Sequence, residues 1–327
     1  MAGPTVVLDD IVLGESTRWH DGRLFFSDWG AGEIIVVTDG KREVVARLAG
    51  MPFCFDWLPD GRMISTLGID QRLITWSPAG SSPAGSSPAG SSPAGSSSAG
   101  SSPAGSSSAG SSSAGSSSAG FSSVGSSSAG ESTTYADLSG LGVVSPWNDI
   151  AVSAGGHTYV NNIGYDFPGG EPRPGFIALV TAAGEVRRVP GDLLFPNGMA
   201  VTADDRTLIV AESHAGRLTA FDIGPSGDLT NQRVWAQLDG AAPDGICIDA
   251  EGAVWYADVP NQHCRRVREG GEILATVELD RGGFACALST DGTLYAVTAD
   301  FSNPEAMLHG LHTGQLIATP VGIGGIR

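Results

Sequence analysis

Residues 243–258 read Pro-Asp-Gly-Ile-Cys-Ile-Asp-Ala-Glu-Gly-Ala-Val-Trp-Tyr-Ala-Asp. An apolar run leads into the turn Ala250-Glu251-Gly252, and a second run, Ala253–Ala257, follows that is rich in β-branched and aromatic residues. Such a pattern specifies two antiparallel strands joined by a tight turn. Five further stretches repeat it. Their turns are His20-Asp21-Gly22, Pro59-Asp60-Gly61, Ala154-Gly155-Gly156, Ala203-Asp204-Asp205 and Thr290-Asp291-Gly292, each followed by a strand of the same kind. Turn centres at 155, 204, 251 and 291 are 49, 47 and 40 residues apart, and those at 21 and 60 are 39 apart. The interval from 60 to 155 is 95 residues, but 54 of these, Ser77 to Gly130, are nearly one pentapeptide repeated, which leaves 41. Six units of 40–50 residues are what four-stranded propeller blades require. The expected fold is all-β: one six-bladed β-propeller domain over 1–327, interrupted at 77–130 in its second blade. An α/β barrel would need helices between strands, and a jelly roll would not repeat at a fixed period.

The inserted tract, mostly Ser-Ser-Pro-Ala-Gly or Ser-Ser-Ser-Ala-Gly, carries no charge. It offers too little apolar surface to offset ordering, so disorder is expected. Collagen is excluded, because Gly recurs every fifth residue rather than every third. Gln71–Trp76 and Thr133–Leu138 read as the third and fourth strands of the second blade, so the tract replaces the turn between them. Expanding such a turn costs roughly 2 kcal/mol of closure entropy.

The 18 basic and 35 acidic residues give a net charge of −17, which argues against nucleic acid or an anionic membrane as partner. Cys54, Cys247, Cys264 and Cys286 have no metal-ligand spacing and read as reduced, mostly buried hydrophobes. Met1 to Asp10 lack the pattern of a signal peptide, and no apolar run approaches the ~18–20 residues of a membrane span. A cytoplasmic location is the expectation, and no protein partner is implied.

In a meander of four strands, the start of the first strand and the second-to-third connection share one face, here called the top. Seven residues before the turn centres stand Gly14 (beside Glu15), Phe53, Asn148, Asn197, Asp244 and Phe284. In a propeller these starts converge on the central channel. Glu15, Asn148, Asn197 and Asp244 would then supply two carboxylates and two amide oxygens to one point, with no His or Cys. That donor set suits a hard cation, Ca²⁺ first, with Mn²⁺, Mg²⁺ or Zn²⁺ as alternatives. Asn-Gly and Asp-Gly are also ordinary turn dipeptides, yet each blade already has its own turn seven residues later.

At these residues the sequence resembles the senescence-marker-protein/gluconolactonase/luciferin-regenerating-enzyme family. The resemblance is carried by 243–258, by Gly-Glu-Ser-Thr-Arg-Trp at 14–19 and by Phe-Pro-Asn-Gly-Met-Ala-Val at 195–201. It implies a six-bladed propeller with one divalent cation in the channel, lactone hydrolysis as the activity, and Glu15, Asn148, Asn197 and Asp244 as the metal ligands. It also implies that Asp244 is the catalytic base. Sugar-lactonase members carry an Arg where this chain has Pro146, followed by Trp147, and a substrate-binding acid that falls here on Asp166. Loss of the Arg, with Trp147 beside it, points to a substrate more apolar than a polyol.

The expected chemistry is hydrolysis of a lactone or related ester, with a cation-polarised carbonyl attacked by water. Asp244 acts as base or, in an open variant, as nucleophile. Top-face loops would shape the pocket with Trp147, Asn162, Tyr165, Asp166, Phe167 and His214, and the 162–175 loop would serve as a lid. Trp29, Ser213 and Asn261, and His309 and His312 of the last blade, lie in corresponding loops. Trp19, Trp57, Trp235 and Trp255 read as packing, and Glu212 and Asp258 as ligand-orienting or solvated groups. No Gly-x-Ser-x-Gly, Walker or HExxH motif occurs. The alternatives are a non-catalytic binding platform with a structural Ca²⁺ site and an organophosphate-type hydrolase. Replacing 77–130 by a short turn should leave cation binding and catalysis nearly unchanged; a large loss of either would show that the tract is misplaced on the bottom face.

Overall fold

The structure, a computed structural model, describes residues 3–76, 132–142, 146–167, 169–302 and 312–326. The pentapeptide tract and His309 lie outside the described residues. Among the described residues, twenty-four strands form six four-stranded antiparallel sheets, the blades of a six-bladed β-propeller. Blade one is β2 (Gly14–His20), β3 (Arg23–Asp28), β4 (Glu33–Thr38) and β5 (Lys41–Arg47). Blade two is β6 (Phe55–Trp57), β7 (Met63–Leu67), β8 (Arg72–Trp76) and β9 (Thr133–Asp137). Blade three is β10 (Trp147–Val152), β11 (Thr158–Asn162), β12 (Phe176–Val180) and β13 (Val186–Arg188). Blade four is β14 (Pro196–Val201), β15 (Thr207–Glu212), β16 (Arg217–Ile223) and β17 (Leu229–Gln237). Blade five is β18 (Pro243–Ile248), β19 (Val254–Asp258), β20 (His263–Val267) and β21 (Ile273–Glu278). The expected strand pair flanking the tract is present, with Thr75 opposite Thr133.

Blade six is built from both ends of the chain. Its inner strands are β22 (Gly282–Leu288), β23 (Thr293–Ala299) and β24 (Gly314–Pro320), and its outer strand is the N-terminal β1 (Thr5–Ile11). Thr5 pairs with Ala318 and Ile11 with Gly314. The six sheets thus form a closed ring held shut by a β-ladder, which leaves β24 no free edge. Nothing local announces this pairing, because its partners are about three hundred residues apart.

Alternation along the strands places apolar side chains between neighbouring blades. Leu13, Phe26 and Ile35 of blade one pack with Ile11, Val297 and Leu316 of blade six. Cys54, Ile64 and Leu73 of blade two pack with Trp147, Ile150 and Phe176 of blade three. The core is therefore a set of interblade layers surrounding the channel. A hydrogen-bonding device recurs where the second strands of blades one, four and five end. Asp28 accepts the amides of Val12 and Leu13 (3.1 Å each), Glu212 that of Leu194 (2.7 Å) and Asp258 that of Ala242 (3.2 Å). Each carboxylate ties down the chain leading into its own blade's first strand. Glu212 and Asp258, fully buried, hold these segments and are not solvated. Deleting residues 1–11 should expose β24 as an edge, lower the melting temperature and promote association; unchanged unfolding of the monomer would contradict closure through β1.

Candidate cation site at the top of the channel

The first strands of blades one, three, four and five each contain a β-bulge near their start, and the candidate ligands sit there. Register breaks after the pairs Trp147 with Asn162, Pro196 with Glu212, and Pro243 with Asp258. The next residues are Asn148, Asn197 and Asp244. A bulge re-aims a side chain that a regular pleat would send into the interblade core. In blade one, Gly14 pairs with Asp28 just as Trp147 pairs with Asn162, so Glu15 occupies the position of Asn148. Its apparent one-residue offset arises from a shorter turn: Trp19 with Leu24 encloses four residues where the equivalent Val152 with Thr158 encloses five, and the bulge in β2 falls at Ser16 and Thr17. Ser16 adopts φ +49°, and its hydroxyl accepts the amide of Phe55 at 3.1 Å.

The four side chains are brought together. Asn148 donates from Nδ2 to Oδ1 of Asn197 (3.3 Å), and Asn197 bonds the Asp244 carboxylate. Glu15 and Asp244 are 9% and 8% exposed. Burial pushes the pKa of Glu15 well above the usual carboxylate range, and the charges of Asp244 and Asp149 add to this. Burial likewise raises Asp244, reinforced by Asp149 and Asp258. Oδ1 of Asp244 is buried with no hydrogen-bond partner. Two repelling buried carboxylates with an unsatisfied oxygen form a site whose electrostatics call for a cation. Among the described residues no cluster of three or more His, Cys, Asp or Glu side chains is placed to hold a metal. The donor set here has only two such residues, and its other oxygens are amides, so the residues fit a hard cation and not a thiophilic one.

Two residues beneath the site escaped the sequence reading, although Arg18 lies inside the quoted 14–19 stretch and Asp149 adjoins Asn148. Asp149 forms a buried ion pair with Arg18 (2.9 Å), which also donates to the carbonyl of Ile150. Its other oxygen accepts the amide of Met199 at 2.7 Å. Burial opposes the Arg18 charge, but Asp149 and Asp56 outweigh it and the pKa is raised. Asn161 completes the link: its side chain accepts the Asp149 amide (3.2 Å) and donates to the carbonyl of Asn197 (2.6 Å). Blades one, three and four are thereby fastened together directly under their ligand positions.

Of the expected pocket residues, Trp147 and Asn162 are corrected. Trp147 is fully buried and meets the Phe176 ring edge-on at 5.5 Å in the core between blades two and three. It precedes the bulge, so its side chain points away from that of Asn148. Asn162 is also fully buried, with its amide bonded to the carbonyl of Pro146 and the amide of Gly164, the loop-holding position of Asp28 and Asp258. Tyr165, Phe167 and His214 do gather at the rim, joined by Phe195. His214 lies 4.6 Å from the Phe195 ring, and Phe167 lies 5.1 Å from it on the other side. Tyr165 contacts all three rings at 6.0–6.3 Å. Phe167 is 53% exposed, and burial lowers the pKa of His214. Phe195 holds φ +56°, an expensive conformation for a bulky residue, two positions before Asn197. Ser213, beside His214, accepts from Asn197 (3.4 Å) and donates to the carbonyl of Pro243, connecting rim to site. Asp166 is exposed. His312 pairs with Asp10 at 2.8 Å instead. Trp57, Trp235 and Trp255 are buried, and Trp19 stacks on Tyr295.

A cavity of about 670 Å³ opens at the other end of the channel, lined by Trp19, Trp57, Val152, Met199, Cys247 and Ile326 among others. It lies at the turn ends of the first strands, away from the four convergent side chains.

The model of the SMP-30/Gluconolactonase/LRE-like region matches residues 13–300, and the chain belongs to that family. It is 29% identical over 184 residues to regucalcin of Oryctolagus cuniculus, covering 49% of this chain and 62% of that protein. Diisopropyl-fluorophosphatase of Loligo vulgaris is 29% identical over 123 residues, 32% of this chain and 39% of its own. The chain thus matches less than two thirds of the length of these curated relatives. A solved structure described as a calcium-binding protein, regucalcin, from Agrobacterium tumefaciens superposes with a TM-score of 0.70 at 17% identity, covering 99% of this chain and 95% of that one. At that identity the likeness speaks to the fold.

Without a cation, Glu15 and Asp244 titrate above their unfolded values, so their stabilising contribution is complete below the ordinary carboxylate range and is lost as pH rises through the folded values. The melting temperature in EDTA should therefore fall as pH rises above the ordinary carboxylate range, and calcium should flatten that slope. Equal slopes with and without calcium would remove the electrostatic case for the site.

Proposed function

We propose that this protein is a divalent-cation-dependent hydrolase of a lactone or related ester, with Ca²⁺ the favoured ion. The observation that supports the reading most is the buried pair Glu15 and Asp244, joined to Asn148 and Asn197 and left with an unpartnered carboxylate oxygen. A bound cation would supply carbonyl polarisation and charge stabilisation for the tetrahedral oxyanion. The chain does the rest. Glu15, Asn148 and Asn197 would hold the ion, and Arg18 with Asp149 fixes the backbone beneath them. Asp244 offers its free oxygen to the attacking water and holds the proton at Oδ1. Direct nucleophilic attack by Asp244 is the variant to be separated from it.

The aromatic rim supports an apolar substrate, in place of the argument from Trp147. Tyr165, Phe167, Phe195 and His214 pack ring against ring, with Phe195 two positions before Asn197, and Pro146 stands where a polyol-binding Arg would be. With its pKa lowered by burial, His214 is a neutral imidazole at neutral pH and suits a ring or ester oxygen better than an anion. Similarity to the squid diisopropyl-fluorophosphatase favours one second reading, hydrolysis of organophosphates, which would use the same cation and the same water. A platform without catalysis is the remaining reading.

Turnover should be measured on a panel of aryl lactones, aldonolactones, aryl esters and a phosphofluoridate, with calcium, manganese or zinc, before and after EDTA. The expected result is EDTA-sensitive, cation-restored hydrolysis that prefers aryl lactones. Asp244→Asn should lower kcat by about 10²-fold or more. Calcium that raises the melting temperature with no turnover on any substrate would instead establish the platform. A variant D244N that keeps both cation and full rate would falsify the role given to Asp244.

A further inference from the structure

Three of the four cysteines meet between blades five and six. Sγ of Cys247, on β18, lies 3.9 Å from Sγ of Cys286 on β22, and Cys286 is hydrogen-bonded in turn to Cys264 on β20. All are free thiols. Cys264 and Cys286 are 0% and 1% exposed, whereas Cys247 is half-buried and lines the 670 Å³ cavity at the turn end of the channel. A small reagent entering that cavity reaches Cys247, and next to it finds a second thiol shielded from the same reagent. The arrangement is asymmetric, with one accessible sulfur and one resolving sulfur.

We propose that Cys247 and Cys286 form a reversible disulfide on exposure to a hydroperoxide. The sulfur of Cys247 attacks the peroxide, the O–O bond breaks, and the departing oxygen leaves as alcohol or water carrying the thiol proton. The resulting sulfenic acid is attacked by Sγ of Cys286; the S–O bond breaks and water departs with the Cys286 proton. Two thiols are oxidised by two electrons and one peroxide is reduced, so the step balances. Closing 3.9 Å to the ~2.05 Å of a disulfide requires a shift that side-chain rotation on two adjacent strands can supply.

The geometry also says what the bond would disturb. Cys286 donates to the carbonyls of Gly245 and Trp255, each at 3.6 Å. Gly245 is the second bulge residue of β18, beside Asp244. It packs so tightly on β22 that a Cβ there would come within 2.6 Å of Ala285. Oxidation removes the S–H donor from that carbonyl.

The test uses the full chain, treated with hydrogen peroxide, then alkylated and digested for peptide mass spectrometry. The expected product is a peptide pair linked through Cys247 and Cys286, with free thiols falling from four to two and returning to four with dithiothreitol. Cys247→Ser should abolish the link and Cys264→Ser should retain it, and both variants should keep the parent's circular dichroism. Links made instead by Cys54 or Cys264, bonds between molecules, or Cys247 found only as sulfinic or sulfonic acid would overturn the proposal. Loss of the link in C264S would do so as well. None of these outcomes depends on the cation or on hydrolysis.

Discussion

Burying like charges is the constraint around which the upper channel is organised. Glu15, Asp244 and Asp149 lie out of contact with bulk water, and Arg18 is the guanidinium that faces them. Arg18 is committed to Asp149, which in turn receives the Met199 amide, so the pair acts as a brace and leaves Glu15 and Asp244 uncompensated. Removing either member of a buried pair strands the other, at a cost of about 3–5 kcal/mol. Interblade packing and ring closure must outweigh the residual repulsion. Closing the sixth sheet with β1 makes every blade a neighbour of two others, and no ligand position can relax by splaying outward.

The same constraint explains the backbone. A regular pleat would alternate Asn148 with Trp147 and Asp149 across the strand, with no freedom to turn one of them into the channel. Inserting a bulge at each strand start gives one side chain that freedom and locally disrupts the ladder. Asn161 and the carboxylates ending β3, β15 and β19 then take up amides that the ladder leaves unpaired. Two left-handed residues also fall there, Ser16 and Phe195, both within two residues of a ligand position.

Much of this was legible in the chain. The spacing of the turns gives the six sheets, and the in-register Asn148, Asn197 and Asp244 mark the channel, because repetition makes the pattern independent of any single propensity. Glu15 read as displaced because counting from the turn assumes turns of equal length, and that of blade one is a residue shorter than that of blade three. Trp147 was misread for a related reason: adjacency to a ligand in sequence means opposition across the strand. Arg18 with Asp149, β1 with β24, and Cys247 with Cys286 were not legible. Each joins residues from different blades or opposite ends of the chain, and a single sequence carries no local trace of such pairings.

One feature of the bulge arrangement bears on how such a site diversifies. Four of the six strand starts carry oxygen-bearing side chains, whereas Phe53 and Phe284, buried at 0% and 6% exposure, hold the starts of blades two and six. The ring is in effect a socket with six addressable pins, two of them capped with hydrocarbon. Because each pin sits on its own blade, with its own turn and its own loop-holding group, one can be rewritten without re-registering its neighbours. Coordination number, ligand charge and the apolar wall facing the ion are then separately adjustable. A lineage built on this frame can change metal preference or substrate by single exchanges at two positions that now serve only to fill space.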